Sequence, residues 1–478
     1  MRRTVRGLIA NARGNRGGWL ALAAVLAAAL LSTGGFASDA FAARGLITGL
    51  DDNKYGSADA AIRDPAFQRT VEAGAGLARF NVTWRSVATA QPLDPANPAD
   101  PAYDFSAVDR AVSGAAAHGL DVLLTVYEAP AYAEGHNPPA GVGPGTWKPD
   151  PTAFAAFGRA VALRYSGNFL GLPRVRYFEA WNEPNLPNFI TPQWEGNHAT
   201  SPGIYRDLVN SFYSAVKGVD PSNQVLAGAL APYGDPPSQH NRIRPLRFAR
   251  EFLCLNSKLR KSTCPVKPSF DILSHHPIDL SGGPRTSAIS PDDISTPDLG
   301  RLREALFAAE RARTIAGSAK RHPIWVTELW WETDPPDPNP RVFASPREQA
   351  LYLEEALYLL WKEKAKVVIN LPLYDAHDLL ALQSGLFFED GRPKPSFQSF
   401  RFPFVTERRS KDQLFAWGKS RTAGKLKIQE KAKGHWRTVG KENVRRGEVF
   451  TDRLEVRGKA KLRATVGGEK SLVWTQRR

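Results

Sequence analysis

The chain has 478 residues, which is more than one ordinary hydrophobic core requires and predicts two folded units. Its net charge of +15 is typical of nucleic-acid-binding proteins, but the charge is unevenly distributed. Residues 43–400 carry 36 basic and 39 acidic side chains, whereas residues 401–478 carry 22 basic and 8 acidic ones. The composition therefore excludes a generally basic, nucleic-acid-binding surface on the larger part of the chain.

The first 42 residues have the three parts of a secretory signal peptide. Five arginines precede an apolar run from Trp19 to Leu31, and Ala40-Phe41-Ala42 forms a small-residue cleavage site. The apolar run is shorter than the roughly 20 residues that span a bilayer; an uncleaved membrane anchor is the alternative. No later segment has a spanning pattern, so we expect a soluble, secreted mature protein without a transmembrane segment.

Between residues 43 and 400, short apolar runs alternate with helical patterns, which is the order of βα units and a parallel sheet. Most runs are apolar throughout, as expected of strands buried on both faces. The predicted strands are 46–50, 77–82, 122–127, 175–180, 225–229, 270–274, 324–327 and 367–371. Eight strands close a TIM barrel, so the sequence predicts an α/β fold with a (β/α)8 barrel and an outer ring of helices.

Capping residues mark the starts of two of these helices. In SPREQALYLEEALYLLWKEKAK, Ser345 is a cap candidate, Pro346 fits the first helical position and Glu348 completes a capping box. In TPDLGRLREALFAAERAR, Thr296 occupies the cap position. Both patterns predict helices of the outer ring.

The sequence has two cysteines, Cys254 and Cys264, in FLCLNSKLRKSTCPVKP. Export would place them in an oxidising environment, so we expect a disulfide; two free buried thiols are the alternative. The loop is short, and closing it would stabilise the fold by about 2 to 3 kcal/mol. No metal site is predicted, because no further cysteine and no nearby histidine pair completes a ligand set.

Residues 401–478 predict a small, basic, antiparallel β domain that is β-sandwich-like. The segments KLKIQEKA, HWRTVG, EVFTDRLEV and KAKLRATVG alternate apolar with charged residues and are separated by glycine-containing turns. Nucleic acid is not the expected partner, because no recognition helix or RNA-binding motif accompanies the charge. Contact with an anionic polysaccharide or cell-wall polymer is one interpretation, and a solvated face that merely supports the barrel is the other.

Two glutamates follow predicted barrel strands, at the position where active sites of TIM barrels lie. Glu183 comes after the fourth strand in YFEAWNEPN, and Glu328 after the seventh in IWVTELWWET. Glycoside hydrolysis needs such a pair, one protonated acid for the leaving oxygen and one ionised carboxylate near the anomeric carbon. The sequence therefore predicts Glu183 and Glu328 as catalytic residues.

WNEPN and VTEL, in these positions, resemble the two signatures of the clan A retaining glycoside hydrolases, and GLFFEDGRPKPSF is similar to the exit from strand eight in families 39 and 5. The resemblance spans roughly residues 45 to 400. It implies a (β/α)8 barrel in which Glu183 is the general acid/base and Glu328 the nucleophile. It also implies that Pro184 keeps the strand end from continuing as a helix, so that its residues face a ligand.

The same resemblance implies substrate-binding residues around the pair. Asn182 would bond the 2-hydroxyl of the sugar, and Arg79 would lie beside the nucleophile and lower its pKa. His276 would line the site, with His275 as the competing candidate and a purely structural imidazole as the alternative. Tyr374 stands where clan members usually present a tryptophan platform.

Aromatic residues near the predicted strand ends are candidates for stacking on sugar rings. Trp84 and Trp331 are the first choices. The others are Tyr127, Tyr132, Trp147, Trp181 and Trp330. Each one alone is as well explained by core packing, but together they favour a carbohydrate groove.

The residues together with the clan resemblance imply a secreted retaining β-glycoside hydrolase that cleaves a polysaccharide or oligosaccharide by double displacement, without metal or organic cofactor. A transglycosylase using the same residues is a second interpretation. A third is a non-catalytic carbohydrate-binding protein, because the position two residues after His276, often tyrosine in the clan, is Ile278.

Overall fold

The computed structural model describes residues 45–280, 282–317, 321–337 and 344–476. The predicted signal peptide, residues 1–42, lies outside these ranges. The described residues belong to one compact unit. None of their helices has the length and hydropathy needed to cross a bilayer.

Eight parallel strands close into a barrel, and each pairs with its neighbours in chain order until β8 returns to β1. The strands are β1 (Ile47–Asp51), β2 (Leu77–Thr83), β3 (Asp121–Tyr127), β4 (Tyr177–Ala180), β5 (Gln224–Leu230), β6 (Ile272–His275), β7 (Ile324–Leu329) and β8 (Ala365–Asn370). The predicted TIM barrel is confirmed.

At least one helix follows each barrel strand. The helices are α1 (Ala60–Glu72), α2 (Trp84–Val87), α3 (Ser106–Ala117), α4 (Pro151–Arg164), α5 (Ser201–Val219), α6 (Pro245–Phe252), α7 (Leu299–Ala312), α8 (Pro346–Lys362) and α9 (Pro395–Arg401). The capping box at the start of α8 is formed as predicted: the Ser345 hydroxyl accepts from the Glu348 amide, and the Glu348 carboxylate accepts from the Ser345 amide.

The inside of the barrel has an apolar layer with a polar layer above it. Inward-facing apolar residues from most of the strands pack into one cluster: Leu77, Leu123, Leu226, Ile272, Trp325, Val367 and Ile369. Side chains alternate along a strand, so residues two positions further along also face inward. On four strands these are Arg79, Thr125, Ser274 and Thr327, all of them buried. A buried polar layer therefore lies between the packed interior and the mouth at the carboxyl ends of the strands.

After the barrel, the chain forms antiparallel sheets, which confirms the predicted all-β region. The strands are β9 (Phe404–Arg408), β10 (Gln413–Lys419), β11 (Gly424–Ala432), β12 (His435–Val444), β13 (Val449–Glu455), β14 (Ala460–Val466), β15 (Glu469–Lys470) and β16 (Trp474–Gln476). One sheet has the order β9–β10–β13; the other has the order β12–β11–β14–β15, with β16 also paired to β14. The two sheets share an apolar cluster that includes Leu414, Leu426 and Leu462.

Cys254 and Cys264 form the predicted disulfide, which closes a loop between α6 and β6. Cys254 is buried, and Cys264 is half-buried. The predicted domain division at residue 400 stays a prediction.

Candidate active site

The structure brings Glu183 and Glu328 together at the mouth of the barrel, with His276 beside both. The Glu183 carboxylate is hydrogen-bonded to His276 Nδ1 at 3.0 Å, and Glu328 Oε2 lies 3.7 Å from the same nitrogen. One ligand atom from each of the three residues lies within 4.8 Å of the others. Both carboxylates are partly accessible, at 16% and 13% of their side-chain surface. The two predicted catalytic residues therefore share one accessible site.

The chain after β4 leaves regular strand geometry to present Glu183. Trp181 and Glu183 both have positive φ angles, of 73° and 38°. Such backbone conformations are costly for residues other than glycine and persist where the surroundings hold them. The Asn185 side chain supplies part of that support, because it accepts from the Ala231 amide and donates to the carbonyl of Ile243. On the other side of the glutamate, the Trp181 amide donates to the Val126 carbonyl at 2.9 Å, so hydrogen bonds hold the segment both before and after Glu183.

A distortion in β5 also supports Glu183. The pairing of β5 with β6 shifts register between Ala227 and Leu230. Gly228 has φ +122°, and a Cβ at this position would lie 2.2 Å from the Ser274 carbonyl oxygen, so the bend requires glycine. The bend directs the Ala229 carbonyl to the Glu183 amide, which donates to it at 3.0 Å. The position of the acid therefore depends on a glycine that sequence reasoning did not identify.

Arg79 lies in the polar layer beneath the pair and is fully buried. Its guanidinium donates to Glu328 Oε1 at 2.7 Å, to Asp51 at 2.9 Å and to the Asn182 side-chain oxygen at 3.0 Å. Its Nε donates to the Thr125 hydroxyl at 2.9 Å. Arg79 thus lies beside Glu328, as the resemblance implies, and the arginine joins strands on opposite sides of the barrel.

Several residues of this network were missed by sequence reasoning. Glu179 lies inside the barrel on β4, fully buried, 3.4 Å from the Arg79 guanidinium. It accepts hydrogen bonds from the hydroxyls of Thr125 and Thr327. Asp51, at the end of β1, is the other buried carboxylate that contacts Arg79. An acid within the otherwise apolar strand YFEA is a signal that could have identified Glu179, because a buried charge requires a partner.

The electrostatics of the site push the two glutamates in opposite directions. Burial raises the pKa of Glu183; the hydrogen bond and the charge of His276 oppose this effect without cancelling it, and the nearby charge of Glu328 adds to it. Burial acts on Glu328 in the same way, but the positive charges of His276 and Arg79 outweigh it and lower the pKa of Glu328. Glu183 therefore binds its proton more tightly than Glu328 does.

The competition between the two histidines is decided by their orientation. His276 contacts Glu183 through Nδ1 and the Thr327 hydroxyl through Nε2. Burial alone would lower the pKa of His276, but the negative charges of Glu328 and Glu183 raise it. His275 points the other way and donates to the Ile294 carbonyl. Its burial lowers its pKa to about 3, so His275 is a neutral structural residue.

Three predicted sugar-binding aromatics are corrected by the structure. Trp84 and Trp331 are each 1% exposed, and a stacking platform needs an open ring face. Trp84 is stacked on Phe157 of α4, and the Trp331 indole donates to the Gly282 carbonyl. Tyr374 is 7% exposed, and the Lys54 ammonium lies 4.0 Å from its ring centroid. These residues are part of the packing around the mouth.

The remaining aromatic candidates differ in exposure. Trp181 is fully buried, whereas four rings are half-buried: Tyr127, Tyr132, Trp147 and Trp330. Those four keep surface that a sugar could cover. Ile278, at the position of the missing tyrosine, is buried.

Glu183, His276 and Glu328 also have the types and spacing of a small metal-ligand set. However, the Arg79 guanidinium lies 2.7 Å from Glu328 and already balances its charge. A divalent cation would be repelled by this arginine. The geometry therefore suits a carboxylate pair better than a metal centre.

Comparisons with known proteins agree with this fold. No family model matches the chain. A family 39 glycoside hydrolase from Bacteroides cellulosilyticus WH2 aligns with 17% identity and a TM-score of 0.54, over 87% of this chain and 82% of that one. A GH5 subfamily 18 protein from Streptomyces cattleya, solved with GlcNAc, aligns with 15% identity and a TM-score of 0.49, over 75% and 79%.

A third structure, Cel5A from Thermotoga maritima with mannotriose, aligns with 15% identity and a TM-score of 0.45, over 75% of this chain and 99% of that one. The likeness to the family 39 structure confirms the fold implied by the clan A resemblance.

Proposed function

We propose that the protein is a retaining β-glycoside hydrolase that acts on a polysaccharide or oligosaccharide. Glu328 attacks the anomeric carbon, and Glu183 donates a proton to the leaving oxygen, so that a covalent glycosyl-enzyme forms. Glu183 then takes a proton from water, which attacks the same carbon and releases Glu328. The substrate class is a carbohydrate with β-linked O-glycosidic bonds.

The observation that carries this proposal is the close approach of two carboxyls whose pKa values move apart. An oxygen of Glu183 lies within 4.8 Å of an oxygen of Glu328. Retaining enzymes hold their carboxyl groups about 5 to 5.5 Å apart, whereas inverting enzymes leave about 6.5 to 9.5 Å for a water molecule. The raised pKa of Glu183 and the lowered pKa of Glu328 supply the proton donor and the nucleophile.

Asn182 has an orientation suited to binding the sugar. Arginine can only donate hydrogen bonds, so the Asn182 side-chain oxygen faces Arg79, and its amide NH2 is left to donate elsewhere. A contact from this NH2 to the 2-hydroxyl would strengthen in the transition state. Arg79 thereby positions both the nucleophile and a substrate ligand.

Trapping with a 2-fluoro β-glycoside tests the proposal directly. We expect a covalent adduct on Glu328, identified by mass spectrometry of the digested protein, and none in Glu328→Gln. Glu183→Gln should lower hydrolysis of a poor-leaving-group substrate by about 10²- to 10⁴-fold, with an unchanged unfolding temperature. An adduct on another residue, or full activity in either variant, would contradict these roles.

Two other activities remain candidates. Transglycosylation would use the same residues, and analysis of products at high acceptor concentration separates it from hydrolysis. A non-catalytic carbohydrate-binding role is favoured by buried Ile278, which leaves the nucleophile without a tyrosine donor at that position. Failure of every 2-fluoro β-glycoside to form an adduct, with sugar binding retained, would favour that role.

We further propose that the protein is exported and that its basic carboxyl-terminal region contacts an anionic polysaccharide or cell-wall polymer. The disulfide between Cys254 and Cys264 supports export, because such bonds persist in oxidising compartments. Sequencing the amino terminus of protein collected from the culture medium tests it, and we expect cleavage after Ala42. An intracellular, uncleaved product would contradict export.

A further inference from the structure

The outward face of the five-stranded sheet concentrates positive charge. Lys427 of β11 lies directly opposite Lys441 of β12 on one side and Thr465 of β14 on the other. Thr465 in turn lies opposite Lys470 of β15. Three lysines therefore occupy one row across four strands, with strands about 4.8 Å apart.

The same face carries further cations in neighbouring rows. Along each strand, the residues next to these cations point to the opposite face of the sheet, because side chains alternate. Leu426, Ile428 and Leu462 are such residues and are buried in the apolar cluster, so the cations point outward. We call the outward set the basic sheet face. It consists of Lys425, Lys427, Lys431, Lys441, Lys461, Arg463 and Lys470. All are exposed except Arg463, which is half-buried.

The acidic residues on these strands do not neutralise the face. Glu430 pairs with Arg437 at 2.6 Å, and Glu469 forms an ion pair with Arg401 of α9. Within the described residues, none of the six lysines of the face forms an ion pair. The face is therefore of one sign, unlike a surface that serves solubility alone, where both signs are interspersed.

In the absence of a ligand, repulsion among these lysines lowers the stability of the sheet. Like charges directly opposite each other on neighbouring strands destabilise a sheet, and Lys427 faces Lys441. An anionic partner would relieve that repulsion. Next to these rows, a depression of about 300 Å³ is lined by cationic and polar side chains of the face and by Glu469, the acid that pairs with Arg401. The lining side chains of the face are Lys425, Lys427, Gln429, Arg463, Thr465 and Lys470.

The aromatic content of the face argues against single-stranded nucleic acid. Such binding uses several open aromatic rings on which successive bases stack. The face offers Trp436, and the Arg463 guanidinium already lies 4.0 Å from its ring centroid. Arg463 is held there by a hydrogen bond from its Nε to Gln429. The partner that fits is a flexible polyanion whose charges are recognised and whose rings need not stack.

We propose that the basic sheet face binds a carboxylated polysaccharide in extended form. The choice of a polysaccharide rests on the proposed function, because a glycosidase barrel on the same chain would act on a polymer held at the sheet. Binding at the face makes encounter with the catalytic mouth intramolecular, which raises the effective substrate concentration. The contact is electrostatic, so its strength falls as salt rises.

The test measures binding of full-length protein carrying Glu328→Gln to polygalacturonate and hyaluronan, between about 20 and 500 mM NaCl. We expect salt-sensitive binding of both polymers and at least a tenfold loss of affinity in the added double variant Lys427→Glu/Lys441→Glu. The matched control is Lys258→Glu/Lys261→Glu, which makes the same charge change at exposed lysines of the disulfide loop and should bind normally.

Dextran, duplex DNA and phosphatidylserine vesicles serve as competing probes. Unaltered binding by the double variant, absence of binding to both uronate polymers, or tighter binding of DNA or vesicles would overturn the proposal. The single variant Lys427→Glu places opposite charges across the strands, so its loss of binding is not explained by unfolding.

Hydrolysis of a small aryl β-glycoside by the same charge variants, with Glu328 restored, should equal that of the wild type. If neither the wild type nor any charge variant hydrolysed the aryl β-glycoside while the polymers still bound, the proposed function would be contradicted. The proposal that the basic sheet face binds polysaccharide would be unaffected.

Discussion

At the scale of single residues, the site depends most on Arg79. This buried side chain forms ion pairs with Asp51 and Glu179, which are almost inaccessible to water, and with the partly accessible Glu328. Removing a partner from a buried ionic cluster costs about 3 to 5 kcal/mol, because the remaining charges stay unpaired. Arg79 therefore stabilises the fold in addition to positioning Glu328.

We predict that Arg79→Lys keeps the charge but raises the pKa of Glu328, because a lysine cannot donate to Glu328, Asp51 and Asn182 with the same geometry. The acidic limb of kcat/KM against pH should move to higher pH, and kcat should fall by at least about tenfold. The control is Arg85→Lys, since Arg85 forms a half-exposed ion pair with Glu128. If the acidic limb of kcat/KM had the same midpoint pH in the wild type and in Arg79→Lys, Arg79 would not be the residue that lowers the pKa of Glu328.

Asp51 gives a prediction for stability against pH. Burial raises the pKa of Asp51 to about 7, even though Arg79 donates to it. At this group the folded protein then binds more protons than the unfolded chain between pH about 4 and 7, so the stability that Asp51 contributes is fully present at low pH and is lost as the pH rises through about 7. This group accounts for a slope of up to about 1.4 kcal/mol per pH unit.

Asp51→Asn imitates the protonated carboxyl at all pH values. We predict that the free energy of unfolding, measured by urea denaturation from pH 4.5 to 7.5, falls less steeply in this variant than in the wild type. Parallel curves for the two proteins would show that Asp51 does not titrate in this window.

The residues of the site could be predicted only in part. Glu183 and Glu328 follow the carboxyl ends of strands, and residues at these ends of a barrel point into the mouth. Asn182 and Arg79 were predicted from the clan resemblance. Trp84 and Trp331 have equally suggestive positions, yet their rings turn into the packing between strands and helices. The position of a residue in the sequence predicts that it lies near the mouth of the barrel. It does not predict whether a large aromatic side chain points into the mouth or into the surrounding packing.

At the scale of elements, the disulfide loop between α6 and β6 is a local staple. Cys254 and Cys264 are ten residues apart, and their sulfurs contact the carbonyls of Phe252 and Val266, not residues of the carboxylate pair. We predict that Cys254→Ser/Cys264→Ser lowers the free energy of unfolding by about 2 to 3 kcal/mol and leaves kcat unchanged. Guanidinium denaturation and kinetics below the unfolding transition measure both. A comparable drop in kcat would mean that the loop supports the site.

The elements of the barrel are well predicted by the sequence, because strands buried on both faces form continuous apolar runs. Helix caps are predicted less well from the sequence than the strands are. Thr296 is not the cap of α7: its hydroxyl donates to the Pro277 carbonyl, and the helix begins at Leu299. Whether the Thr296 hydroxyl bonds a helix amide or a carbonyl distant in the sequence depends on the tertiary fold, which the local sequence does not show.

Strands β9 and β10 were missed for a related reason. In β10, Ala416 contributes to the cluster between the two sheets, while Trp417 packs into the barrel cluster. Both faces are buried, so the strand lacks the period-two alternation that marks β11 and β14. A strand between two cores cannot be told from a packed loop by pattern alone.

At the scale of the whole molecule, the carboxyl-terminal sheets share contacts with the barrel. Trp417 is fully buried, and its ring centroid lies 5.7 Å from that of Tyr358 and 5.9 Å from that of Trp361, both on α8. The Lys419 ammonium donates to the Thr48 hydroxyl of β1 at 3.0 Å. The sheets cover apolar surface that the barrel would otherwise expose.

We predict from these contacts that Trp417→Ala lowers the free energy of unfolding by about 3 to 5 kcal/mol, through loss of a large buried ring and the cavity it leaves. Trp436→Ala, on the outward face of the other sheet, is the matched control and should cost below about 1 kcal/mol. Deleting residues 402–478 removes the strands that pack on α8 and exposes Tyr358 and Trp361, so the remaining chain should be insoluble or should unfold at a much lower temperature. A soluble truncated barrel with wild-type unfolding temperature and activity would instead establish residue 400 as a boundary between two domains that fold independently.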